Sequence, residues 1–291
     1  MDAPVIAFGC GTKFYRGYSH NIDGSDLDES VVASIVQAIE VGFRHIDLAE
    51  MYGNDREVGE ALRRCNIIDR GDIFITSKLV DNMASPEAGL DLILERIGTS
   101  YVDLLLLHCP VAFQRALKND DGCVPDISVV WGAMESLLAR GKAKRIGVSN
   151  FRIEDLEELL CSSTIMPFVN QVEFNPYLQQ QTLREFCTCK GVRMAAYSPL
   201  ASINLHAGGP VDAVISDLAS RYGRSGSQIL LQYAVQKGYI AVTTSSNRHH
   251  LIEALNVMLH PLSLSAADMT RIDTEGGRQV KRHFWRDCYR D

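Results

Sequence analysis

Four side chains able to move or hold a proton follow short apolar runs in the N-terminal part of the chain. They are Asp47 in "FRHIDLAEMYG", Tyr52 five residues later, Lys78 in "FITSKLV" and His108 after "DLLLL". Each alone has an ordinary explanation: a strand-end cap, a packing tyrosine, a solvated lysine, a satisfied core histidine. Together they compose a proton-donor site. A tyrosine hydroxyl, with a reference pKa of about 10, is a weak acid near neutrality. A lysine ammonium within hydrogen-bond reach favours the phenolate and is expected to lower that pKa. Asp47 would keep the lysine charged, because an unpaired buried ammonium tends to lose its proton. A neutral His108 can donate to a carbonyl oxygen, orienting and polarising it. The set suits carbonyl reduction and offers no nucleophile for acyl transfer.

Groups so far apart in sequence need a frame to bring them together, and the hydropathy pattern supplies one. Eight apolar runs recur: "VIAFGCGT", "FRHIDLA", "IFITSKL", "VDLLLLHCP", "AKRIGVSN", "FVNQVEF", "VRMAAYSP" and "YIAVTTSS". Each is followed by a segment of helical spacing: residues 29–42, 55–67, 85–98, 127–141, 152–163, 179–191, 211–223 and 247–259. Near-continuous apolar strands alternating with helices imply a parallel sheet covered by helices. Eight such units predict a closed (β/α)₈ TIM barrel, an α/β fold, as one domain over residues 1–291. A doubly wound sheet is disfavoured, since no GxGxxG follows the first strand and "GCGT" has only two glycines. Barrel chemistry gathers at the C-terminal ends of the strands. Those ends carry Asp47, Lys78, His108, Ser149 with Asn150, Gln171, Tyr197 and Ser245.

Composition narrows the class further. The chain has 291 residues, 46% hydrophobic and 22% charged, with a formal net charge of −7. That balance is globular, and the acidic charge argues against a general affinity for nucleic acid. No apolar run reaches the length of a membrane span, and the N-terminus lacks the basic start of a secretory signal. Eight cysteines without a CxxC read as buried, reduced thiols of a cytoplasmic protein. His249 and His250 are adjacent, so they cannot share a helix face as a metal pair, and no metal is expected.

The motifs taken together resemble the aldo-keto reductase superfamily. "GFRHIDLAEMYGNDREVG" is similar to the family's first signature, and "ITSKL", "LLLLHCP", "GVSNF", "NQVEFNPY" and "AYSPL" follow in the family's order. The ends of the chain look most like fungal reductases of conjugated polyketones and α-keto amides. The resemblance implies NADPH-dependent reduction of a small carbonyl substrate by a monomer. By it, Tyr52 is the general acid, Lys78 its partner, Asp47 the partner of the lysine, and His108 the group that orients substrate. Ser149, Asn150 and Gln171 would bond the nicotinamide carboxamide, and Tyr197 would stack on its ring. Ser198, Pro199 and Leu200 would run along the pyrophosphate, with Gly11, Thr12 and Lys13 also on the cofactor. Thr244, Ser245, Ser246, Asn247, Arg248, His250 and Glu253 would meet its adenosine end. A cofactor-holding redox sensor of the same fold is the alternative.

Departures from the family pattern shape the rest of the reading. Many relatives carry Lys at the position of Thr244, Arg at that of His250 and Asn at that of Ala254. Arg248, beside the N-cap types Ser245 to Asn247, is then the residue expected to grip the 2′-phosphate. NADPH is accordingly expected over NADH, by a reduced margin. Cys109 replaces a frequent Trp and is expected to line a smaller pocket wall. The Pro110–Asp126 loop and the tail after Gly277 read as short, which predicts an open pocket. Phe284, Trp285 and Tyr289 either line that pocket or anchor the tail.

Overall fold

The computed structural model describes residues 2–17, 26–65, 69–110, 126–286 and 289. Each apolar run forms a strand: β1 (Ile6–Gly9), β2 (His45–Asp47), β3 (Phe74–Leu79), β4 (Leu104–Leu107), β5 (Ile146–Ser149), β6 (Val169–Glu173), β7 (Arg193–Tyr197) and β8 (Tyr239–Thr243). They order consecutively as a closed barrel. Pairing is parallel between β1 and β2, β2 and β3, β3 and β4, β4 and β5, and β7 and β8. Every residue of β1 to β6 is buried, as a parallel sheet covered on both faces requires. The fold is the (β/α)₈ barrel that the alternation predicts.

All eight expected helices are present: α1 (Glu29–Val41), α2 (Asp55–Arg64), α3 (Pro86–Ile97), α4 (Ile127–Ala139), α5 (Ile153–Ser162), α6 (Gln181–Lys190), α7 (Val211–Tyr222) and, after β8, a helix over Arg248–Leu259. Asp28, Asp126 and Asn247 cap three of them by accepting backbone N–H bonds in the first turn. Two further long helices lie outside the sequence reading. One, α8, spans Gly226–Gln236 between α7 and β8, so the Arg248–Leu259 helix is α9; the other, α10, spans Ala266–Gly276. Seven consecutive residues of α8, Gln228 to Ala234, are buried, so it shows no polar stripe and its period is hidden. The readable signal was at its start, where Ser225 and Gln228 form a capping box. Ser265 caps α10 in a similar way, accepting from the Asp268 N–H.

Packing divides the chain into two compact units, one of Met1–Ala3 with Phe8–Asn170, the other of Pro4–Ala7 with Gln171–Asp291. In the first, Phe8 packs against Phe14 and Phe43, with ring centroids 5.8 Å apart in both pairs. In the second, Phe174 stacks on Tyr239 at 4.1 Å and on Tyr233 at 5.6 Å. There the Tyr233 hydroxyl and the Lys237 ammonium both donate to the Asp273 carboxylate at 2.6 Å, joining α8 to α10.

The loops that carry the candidate chemistry in the first unit are pinned to one another. Asn54, fully buried, donates from Nδ2 to the carbonyls of Cys10 at 2.7 Å and Phe14 at 3.0 Å. The Arg16 N–H donates to the Tyr52 carbonyl at 2.7 Å. Between them Gly53 has φ +70°, and a Cβ there would lie 1.9 Å from the Gly17 carbonyl oxygen. Any side chain at Gly53 would push the two loops apart.

The expectation of buried thiols holds for Cys10, Cys109 and Cys187 but fails for Cys161 and Cys189, which are exposed. Cys187 and Cys189 are two positions apart on α6, about 200° around the helix, so one faces the core and the other faces solvent.

Candidate active site

Strand register explains why Asp47 meets Lys78. Asp47, the last residue of β2, lies beside Thr76 of β3. Side chains alternate along a strand, so Lys78, two residues on, points to the same side as Thr76. The Lys78 ammonium donates to Asp47 Oδ1 at 2.5 Å and to the Leu48 carbonyl at 3.0 Å, and reaches the Tyr52 hydroxyl at 3.4 Å. An ammonium has three N–H donors, and these partners match all three. Lys78 has no exposed surface and Asp47 is 2% exposed, so the pair is a buried ion pair.

Tyr52 ends a single 3₁₀ turn, Glu50–Tyr52, and is partly exposed. Its ring meets that of His108 edge-on, with centroids 5.7 Å apart and planes at 80°. Gly11 brings its backbone close to the same ring, where a Cβ would sit 2.9 Å from Tyr52 Cζ. Asn150, just past β5 and at φ +61°, donates to the His108 carbonyl at 2.9 Å and to Ser149 Oγ at 3.1 Å. Asp47, Tyr52, Lys78, His108, Ser149, Asn150 and Gly11 thus belong to one cluster within the first unit. Thr12 and Lys13, in the adjoining 3₁₀ turn, are exposed. Cys109 is fully buried. Of the loop expected to be short, residues 111–125 lie outside the described residues.

The electrostatics correct one expectation. Burial pushes the Tyr52 hydroxyl above its ordinary value, while Lys78 pulls it down and Asp47 pushes it up; the net direction is upward. The ammonium by itself would lower the pKa, but desolvation of the phenolate outweighs it. Lys78 is held above its ordinary value: burial opposes the charge, but Asp47 and Tyr52 outweigh it. His108 is held well below the usual histidine range by burial and then by the Lys78 charge, so it is neutral near pH 7. The cluster near neutrality is therefore a phenol, an ammonium and a neutral imidazole.

The remaining expected residues lie in the second unit. Gln171 is buried within β6, and Tyr197 ends β7 half-exposed. Ser198 follows at φ +56°, then buried Pro199 and half-buried Leu200. Phe284 packs edge-on to Tyr197 with centroids 5.8 Å apart, and Tyr289 lies under the Arg282 guanidinium at 3.8 Å. Glu173, whose role the sequence did not suggest, holds this tail: its carboxylate accepts the backbone N–H groups of His283 and Phe284 at 2.9 Å each. After β8, Ser245 Oγ accepts the Asn247 N–H at 3.0 Å, and Asn247 accepts the His249 N–H at 2.8 Å, opening α9 at Arg248. Ser246, Arg248 and His250 are exposed, Glu253 is half-buried, and Ala254 faces the core. Thr244 Oγ1 is buried with no hydrogen-bond partner. A capped helix start, an adjacent arginine and an orphaned hydroxyl fit the phosphate end of a nicotinamide dinucleotide.

The sequence profile of the Aldo/keto reductase family matches residues 9–275. The chain belongs to that family. It is similar to the NAD/NADP-dependent indole-3-acetaldehyde reductase of Schizosaccharomyces pombe, with 41% identity over 97% of this chain and 94% of the relative. It is also similar to the NADPH-dependent alpha-keto amide reductase of Saccharomyces cerevisiae, with 37% identity over 98% and 92%. The solved structure of the aldose reductase from Schistosoma japonicum superposes with a TM-score of 0.80 at 27% identity, covering 97% of this chain and 90% of that one. This aldo/keto reductase is therefore an oxidoreductase, and the expected closeness to fungal reductases is met.

Removing one partner of the buried ion pair strands the other charge, at a cost of about 3–5 kcal/mol. Asp47→Ala is expected to lose about that much stability in urea unfolding, and Asp47→Ala with Lys78→Met to recover most of it. A double variant no more stable than Asp47→Ala would show that the stranded ammonium is not the cause.

Proposed function

We propose that the chain reduces activated carbonyl compounds to alcohols with NADPH, with Tyr52 as proton donor. The observation that carries this is the fully buried Lys78 ammonium set between the Asp47 carboxylate and the Tyr52 hydroxyl. NADPH, when bound, supplies the hydride that the carbonyl carbon receives. Tyr52 gives its proton to the carbonyl oxygen, completing the C–OH. Its raised pKa keeps that proton in place at neutral pH, and the adjacent ammonium then stabilises the phenolate left behind. Asp47 holds the ammonium charged and fixed. Neutral His108 donates a hydrogen bond to the same carbonyl oxygen, orienting it toward Tyr52.

The residues proposed to contact cofactor are Gly11 to Lys13, Ser149 and Asn150 in the first unit, and Gln171, Tyr197 to Leu200 and the start of α9 in the second. NADPH is preferred, and NADH is a weaker alternative, because Arg248 is the exposed cation beside the helix start while Thr244 and His250 stand where many relatives have basic residues. The name of the fission-yeast relative, which allows either cofactor, supports a narrow margin. Activated carbonyls are favoured as substrates by the likeness to an α-keto amide reductase. The enzyme is read as a cytoplasmic monomer, the compartment supported by cysteine usage without a disulfide pattern. Among the described residues no helix is long and apolar enough to cross a membrane.

The test is oxidation of NADPH and NADH in the presence of vicinal diketones, α-keto lactones or amides, and aldose sugars. Diketones are expected to give a higher kcat/KM than xylose or glucose; equal values would remove the substrate assignment. Tyr52→Phe is expected to lower kcat by about 10²–10⁴-fold while leaving cofactor binding intact. Retention of more than about a tenth of the activity would exclude Tyr52 as the acid. Arg248→Ala is expected to weaken NADPH by about tenfold or more and to spare NADH, since a charge-assisted bond contributes about 1.5–3 kcal/mol. Equal losses for both cofactors would mean that Arg248 does not read the 2′-phosphate.

A further inference from the structure

Glu50 stands between Asp47 and Tyr52, and the chemistry above gives it no part. It is 1% exposed. One oxygen, Oε2, accepts the backbone N–H groups of Val80 at 3.0 Å, Asp81 at 2.9 Å and Asn82 at 3.3 Å. The other, Oε1, accepts the Asn82 side-chain amide. Three consecutive amides converging on one oxygen form a nest, which offsets the cost of burying a carboxylate.

The placement of this clamp is specific. Glu50 opens the 3₁₀ turn that Tyr52 closes, and Val80 lies two residues beyond Lys78. The clamp is therefore two positions from the tyrosine on one side and two positions from the lysine on the other. Lys78 is held independently by Asp47 and the Leu48 carbonyl. At 3.4 Å, its reach to Tyr52 is the longest of the three contacts, already at the edge of hydrogen-bond range. That contact is the first to be lost if the turn shifts. The other titratable groups acting on Tyr52 are Asp47 and Cys10, and the His108 ring packs against it.

We propose that Glu50 is a positioning residue that sets how closely the Tyr52 hydroxyl approaches the Lys78 ammonium. This rests on the reading of Tyr52 as the proton donor. Released from the clamp, the turn would carry Tyr52 away from Lys78, weakening the one attraction that favours the phenolate. The acid would become weaker, while groups that bind cofactor and substrate would stay in place.

The test compares wild type, Glu50→Gln and Asn82→Ala by crystal structure, steady-state kinetics with a diketone and NADPH, and thermal unfolding. In Glu50→Gln the Tyr52–Lys78 separation is expected to exceed about 3.5 Å. With it, kcat falls by about tenfold or more, part of the acid's contribution, with KM little changed. The high-pH limb of kcat moves to higher pH, because weaker attraction to the ammonium raises the pKa of the acid. Asn82→Ala keeps the three backbone bonds and is expected to shift every readout the same way by less. If Glu50→Gln does not fold, Asn82→Ala decides. A folded variant that melts earlier but keeps the wild-type separation, kcat and pH profile would overturn the proposal, leaving Glu50 a structural staple. A longer separation with unchanged turnover would instead uphold the positioning role and remove Tyr52 as the acid.

Discussion

An ammonium group with no exposed surface is the constraint on which the candidate site depends. Burying Lys78 is tolerable only because Asp47 supplies the opposite charge and Leu48 and Tyr52 receive its remaining donors. This arrangement demands adjacent parallel strands with Asp47 and Lys78 in the observed register, since a slip of one residue would turn the lysine to the other face. Register in turn is fixed by strands buried on every residue. The barrel is thus the means by which one lysine is held dry, charged and next to a phenol.

Burial and charge act against each other at Tyr52, and the balance suits an acid. Desolvation alone would make the phenolate prohibitive, and the ammonium alone would let the proton go too early. A tyrosine that keeps its proton at neutral pH, yet has a cation waiting for the anion, is matched to donating once per turnover. Burial, reinforced by the same ammonium, keeps His108 neutral, so burial sets the protonation state of both side chains that would meet the carbonyl oxygen.

Loop anchoring extends the same logic outward. Asn54 ties the turn after β2 to the segment after β1, Glu50 ties it to the segment after β3, and Gly53 leaves room for the close approach. In the second unit Glu173 does comparable work, receiving two tail N–H groups and bringing Phe284 to the edge of Tyr197. Buried carboxylates here serve as fixed acceptors for loop backbone, and the strand ends they restrain carry the candidate chemistry.

Much of this was written locally in the chain. Near-continuous apolar runs and helical spacing predicted all eight strands and the eight helices that follow them, because those patterns report directly on which faces are buried. Residue types at strand ends singled out Asp47, Lys78 and His108 as candidates, with Tyr52 on the loop after β2, since packing alone has no use for that combination. Tertiary structure decided what depends on neighbours distant in sequence. Helix α8 was hidden because burial on all sides erases the amphipathic period. The pKa of Tyr52 was misjudged because desolvation is set by everything packed around a group, whereas charge can be read from one residue. Glu50 and Glu173 gave no signal because their partners are backbone N–H groups, identical in every residue and brought within reach only by the folded chain.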